Sequence, residues 1–70
     1  MATAADLEAV RQRLVARGAS DGHVNDYGAL VAVGFTDPDG MSTEVCWLRD
    51  PALRDLHPPT TLAGPVPGEP

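Results

Sequence analysis

The sequence predicts an α+β fold: one N-terminal helix packed on a three-stranded antiparallel meander. Three observations carry that reading. Apolar residues over 5–17 recur at helical spacing, the runs 29–35 and 42–48 are rich in β-formers, and the turn sequence Asp37-Pro38-Asp39-Gly40 separates those two runs.

In the helical segment, Leu7, Val10 and Leu14 stand at i, i+3 and i+7, which places them on one face. Asp6 and Glu8 near its start and Arg17 near its end have the signs that suit the helix dipole. Gly18 follows as a left-handed cap, and residues 19–22 read as a loop. Residues 23–26 form a short edge strand, and Tyr27-Gly28 a turn or bulge. In the next strand, Val31, Val33 and Phe35 alternate with Leu30, Ala32 and Gly34. Proline fixes its own φ, aspartate bonds back to the backbone, and glycine accepts a positive φ, so Asp37–Gly40 closes a hairpin onto the strand Ser42–Leu48. The composition changes after residue 49. Residues 51–56 have room for one helical turn, and residues 57–70 hold five of the seven prolines. The chain therefore divides into a folded unit at 5–49 and a proline-rich tail at 50–70, surface-hugging or disordered.

Alternation along the second hairpin strand turns Thr43, Val45 and Trp47 toward the helix, and Ser42, Glu44, Cys46 and Leu48 away from it. A four-residue loop sets Thr36 opposite Met41 and Val33 opposite Glu44, with Ala32 and Gly34 under the helix; one bulged residue reverses this. In that register Glu44 stands among Val31, Val33 and Phe35. A carboxylate there is costly unless paired, hydrogen-bonded or metal-bound. Glu44 is accordingly the candidate site residue. One helix covers one face of the sheet, so the other face is expected to receive a partner.

Ten acidic residues against five arginines and no lysine give a net charge of −5. Nucleic-acid binding needs clustered positive charge, and an anionic membrane surface needs the same, so both are excluded as partners. No run of about 18 apolar residues is present, and the N-terminus lacks the basic and apolar segments of a signal peptide. Cys46 is the single cysteine, which fits a reducing cytoplasm. His23 and His57 read as surface histidines, Cys46 as a small apolar residue, and Trp47 as packing beneath the helix. Tyr27 is assigned to turn packing or to the mouth of a cavity, and Asp37 and Asp39 to turn chemistry rather than to calcium.

The stretch Phe35-Thr36-Asp37-Pro38-Asp39-Gly40-Met41-Ser42-Thr43-Glu44-Val45 resembles the signature closing a module of the vicinal-oxygen-chelate superfamily: glyoxalases, bleomycin-resistance proteins and extradiol dioxygenases. The preceding Arg17-Gly18-Ala19, Gly22-His23-Val24-Asn25-Asp26-Tyr27-Gly28 and apolar strand resemble it too, so the likeness covers roughly residues 5–49. The family's module is βαβββ, and paired modules enclose a small-molecule cavity. Its divalent-metal ligands come from the first strand, often a histidine, and from a last-strand glutamate that matches Glu44. The resemblance implies a partial module, αβββ, lacking the first strand and its histidine. One carboxylate does not hold a divalent ion, whichever metal it is, so the resemblance implies a homo-oligomer or a second module that completes the site. It assigns no catalytic residue to this chain. Once completed, the implied activity is that of a metal-dependent lyase, isomerase or dioxygenase. The alternatives are a non-catalytic module that sequesters a small molecule such as an antibiotic, and an inactive remnant.

Overall fold

A computed structural model describes residues 3–67. The order of elements is α1 (Ala4–Ala16), β1 (Val24–Asp26), β2 (Leu30–Thr36), β3 (Ser42–Leu48) and β4 (Thr60–Leu62). The expected helix on an antiparallel meander is present, with a fourth strand added. All neighbouring strands are antiparallel, in the order β3-β2-β1-β4.

Local chemistry fixes both ends of α1. Thr3 takes the N-cap, its hydroxyl oxygen accepting from the Asp6 N–H at 3.1 Å. At the other end the Ala19 N–H reaches the Leu14 carbonyl at 2.9 Å, and the Gly18 N–H reaches the Val15 carbonyl at 3.0 Å. This paired closure needs a residue at positive φ, and Gly18 supplies it at +71°. Leu7 is fully buried and Leu14 packs on the same cluster, while Val10 is only half-buried. The core lies between α1 and one sheet face, and contains Ala4, Leu7, Val24, Val31, Val33, Trp47 and Val66.

The hairpin corrects the expected register by one residue. Thr36 pairs with Ser42, Val33 with Val45, and Gly34 with Glu44. The Gly40 N–H donates to the Asp37 carbonyl at 2.9 Å, and the Asp37 N–H donates to the Met41 carbonyl at 2.9 Å. With Gly40 at φ +85°, this is a three-residue loop ending in a glycine bulge, closed by Asp37 and Met41. The Asp37 carboxylate locks it by accepting from the Asp39 and Met41 N–H groups, both at 3.0 Å. Val31 and Val33 therefore lie under the helix with Val45 and Trp47, and Phe35 pairs with Thr43 on that same side. Ala32 and Gly34 take the opposite face.

Residues 49–59 leave the sheet and return to it. The Asp50 N–H bonds to the Ala29 carbonyl at 2.8 Å, and the His57 N–H to the Tyr27 carbonyl at 3.1 Å. The Arg49 guanidinium spans the Gly28 carbonyl (3.0 Å) and the Asp26 carboxylate (3.3 Å), and lies 5.8 Å from the centre of the Trp47 ring. In place of the helical turn expected over 51–56 is a turn in which the Leu53 N–H meets the Asp50 carbonyl at 2.9 Å.

The stretch read as a tail contributes β4, which pairs with β1 through Asn25–Thr61 and its neighbours. Beyond β4, Val66 enters the core and its N–H donates to the Glu8 carboxylate at 2.8 Å. Arg11 completes this clasp, with Nε 2.8 Å from Glu8 and its outer nitrogen 3.1 Å from the Gly22 carbonyl. Glu8, held first by Arg11 and then by the Val66 N–H and Gln12 against the opposing effect of desolvation, has its pKa lowered from 4.5 to about 2.

Candidate functional site on the open sheet face

The sheet face away from α1 is mixed, because the alternation that turns Val24, Val31, Val33, Val45 and Trp47 toward the helix sends outward both polar Asn25 and Glu44 and apolar Leu30 and Leu48. Gly34 of β2 lies at its floor, while Ala32 nearby is covered. Glu44 and Ser42 rise on one side, and Asn25, Tyr27 and Thr61 on the other. The 18–23 loop closes one end, where the Ser20 hydroxyl donates to the Gly34 carbonyl at 2.7 Å and the Thr36 N–H to the Ala19 carbonyl at 2.8 Å. The result is a broad open concavity of about 1070 Å³.

Glu44 occupies the place expected of it, exposed and facing away from the helix. Its neighbours differ from the expected Val31, Val33 and Phe35. Oε2 accepts from the Asn25 side-chain amide at 3.1 Å and from the Tyr27 hydroxyl at 3.5 Å. Asn25 in turn accepts from the Thr61 hydroxyl at 3.2 Å, so one polar line joins residues of β4, β1 and β3, passing over β2. Partial desolvation, the Glu44 charge and the hydrogen bond to it, in that order, raise the Tyr27 pKa above its usual 10.

The other candidate residues are placed apart from this line or beside it. His23 sits at the rim with Nδ1 2.9 Å from the Asp21 carboxylate, half-exposed. His57 lies beyond Tyr27, its Nδ1 2.6 Å from the Pro58 carbonyl, and is exposed as expected of a surface histidine. Cys46 is exposed on the open face opposite Ala32. Asp37 serves the turn. Trp47 is buried under α1, as anticipated. Among the described residues no group of three or more His, Cys, Asp or Glu side chains is placed to hold a metal ion. The donor set around Glu44 is an amide and a phenol, which does not fit a divalent-metal centre built by this chain alone.

Sequence reasoning missed Asn25 and Thr61 as neighbours of Glu44. The signal for Thr61 was the β-forming triplet Thr60-Thr61-Leu62 between prolines. For Asn25 it was the pairing of residues 24–26 with 31–33, which sequence alone does not fix.

No family model, curated protein or solved structure matches this chain. Among the described residues no helix is long and apolar enough to cross a membrane.

Proposed function

We propose that this chain is part of a vicinal-oxygen-chelate module, of the glyoxalase and bleomycin-resistance kind, and that its open sheet face is one wall of a small-molecule site anchored on Glu44. The observation that carries the reading is the position of Glu44. It lies four residues past the glycine of the Asp-Pro-Asp-Gly turn, on the face away from the helix, oriented by Asn25 and Tyr27 at the edge of a concavity. In this reading the chain binds a small polar ligand by itself. Metal-assisted chemistry on vicinal oxygens would need further ligands from a second copy or another module, and no catalytic step is assigned to the residues here. A cytoplasmic location goes with an acidic chain containing a single cysteine.

Calorimetric titration with Mn²⁺, Ni²⁺, Fe²⁺ and Zn²⁺, alongside amide NMR titration with a library of small polar compounds, tests the reading. The expected result is flat metal traces and compound-induced shifts clustered on Asn25, Gly34 and Glu44. Micromolar metal binding that disappears in Glu44→Ala would restore a metal centre to the chain itself. Compound shifts confined to other surfaces would defeat the ligand-wall reading.

A further inference from the structure

We propose that the open face selects a small organic cation, whose body lies over Gly34 and whose ammonium meets Glu44. The proposal rests on the ligand-wall reading above and adds the charge class and the seat of the ligand.

The first observation is a glycine that the fold does not use. Gly34 lies mid-strand without a positive φ, and a Cβ built there would meet nothing nearer than the Thr43 carbonyl oxygen at 4.0 Å. Glycine inside a strand costs about 0.5–1 kcal/mol relative to alanine. Nothing in the packing of the described residues offsets that cost, unlike Gly28, where a Cβ would run into Asp55 and His57. Bare backbone on a strand is what close approach by a ligand requires. It leaves bare backbone on the floor beside the polar line.

The second observation is the charge around that floor. The ionised or ionisable groups lining the concavity are Glu44, Asp21, His23 and Tyr27, and no arginine lines it. Asp21 is already engaged by His23 at 2.9 Å. The hydrogen bonds from Asn25 and Tyr27 both fall on Oε2, and Glu44 is exposed where it lines the concavity. Three arginines are engaged elsewhere, Arg11 with Glu8, Arg49 with Asp26 and Arg54 with Asp50, while Arg13 and Arg17 stand at the end of α1, outside the lining. A carboxylate or phosphate ligand would meet the Glu44 charge, with no arginine in the lining and with His23 already paired to Asp21. An ammonium finds the exposed Glu44 carboxylate, and the chain's net charge of −5 favours its approach.

The test uses three compounds of one shape on the full chain: tyramine (cation), 4-hydroxyphenylethanol (neutral) and 4-hydroxyphenylacetate (anion), each followed by the amide shifts of Asn25, Gly34 and Glu44. Tyramine is expected to bind at least about threefold more tightly than the alcohol, the scale of one exposed charge pair, and the acid more weakly than either. The preference should shrink at high salt. Glu44→Gln should bring tyramine and the alcohol level, while Gly34→Val, whose Cβ meets no obstacle, should keep the fold and weaken both. Equal binding of all three to the wild type, or tighter binding of the acid, overturns the charge class and leaves the ligand wall standing. No shift at these amides with any of the three overturns both.

Discussion

Replacing Glu8 by alanine should release the C-terminal strap from the helix. The carboxylate accepts from Arg11 Nε (2.8 Å) and from the Val66 N–H (2.8 Å), the latter joining residues 58 positions apart in the chain. A pKa held at about 2 instead of 4.5 is equivalent to at most ~3 kcal/mol of stability at ~1.4 kcal/mol per tenfold. The Glu8 side chain is 20% exposed, and solvent screening brings the expected loss to about 2 kcal/mol. For a domain of this size that lowers the melting temperature by about 10 °C. Thermal unfolding followed by far-ultraviolet circular dichroism and by fluorescence of Trp47, the single tryptophan and 4% exposed, reads it directly. The sign of the pH dependence follows from the lowered pKa. The contribution is complete above the unfolded value of 4.5 and disappears as pH falls through about 2. The gap between wild type and Glu8→Gln should therefore close progressively over that acid range. A Glu8→Ala protein melting within about 2 °C of wild type at neutral pH, on the same size scaling, would refute the clasp.

Gly34→Ala should stabilise the chain by about 0.5 kcal/mol in urea unfolding, because it removes the strand-glycine penalty without meeting an obstacle. Gly28→Ala should do the reverse by about 2 kcal/mol, since φ is +85° and the new Cβ collides with the Asp55 carbonyl and the His57 ring. Ending the chain after Leu62 removes Val66 from the core and the N–H that Glu8 binds, with an expected loss of about 2 kcal/mol in the same assay. The hairpin register predicts a strong Hα–Hα nuclear Overhauser effect between Gly34 and Glu44. The outward bonds of Gly34 to Ser20 and of Thr36 to Ala19 make Gly34–Glu44 a close, non-hydrogen-bonded pair; a cross-peak from Val33 to Glu44 instead would return the register to the four-residue loop.

Much of the fold was legible in the sequence because its determinants are local. The spacing of Leu7, Val10 and Leu14, the cap at Gly18 and the Asp-Pro-Asp-Gly turn each act within a few residues, and the observed α1, β2 and β3 follow them closely. The face assignment of β3 was also legible, since Val45 and Trp47 declare the core side without reference to any partner strand. β4 was not. It has three residues between prolines, and what holds it is pairing to Asp26, Asn25 and Val24 some 36 residues away. Proline content argued for a tail by removing donors from the segment, but an edge strand with one bonded side tolerates such neighbours. Val66 was equally hidden, because its burial depends on Glu8 and Arg11 from the far end of the chain. Within the site, Glu44 was legible from the turn, whereas Asn25 and Thr61 required the registers of two further strand pairs.

The bulge at Gly40 changes what the glutamate requires. Opposite Val33, with Val31 and Phe35 beside it, an ionised carboxylate would cost several kcal/mol unless a metal or a partner offset it. Opposite Gly34, hydrogen-bonded to Asn25 and Tyr27 and open to water, it carries no such cost. The same shift moves the valines under the helix and surrounds Glu44 with polar groups on the open face. That is why Glu44→Gln is expected to leave stability within about 0.5 kcal/mol of wild type, as for an exposed substitution away from a packed network, while changing which ligands bind. A large destabilisation by Glu44→Gln would mean that the carboxylate supports the fold, and its availability to a ligand would have to be abandoned.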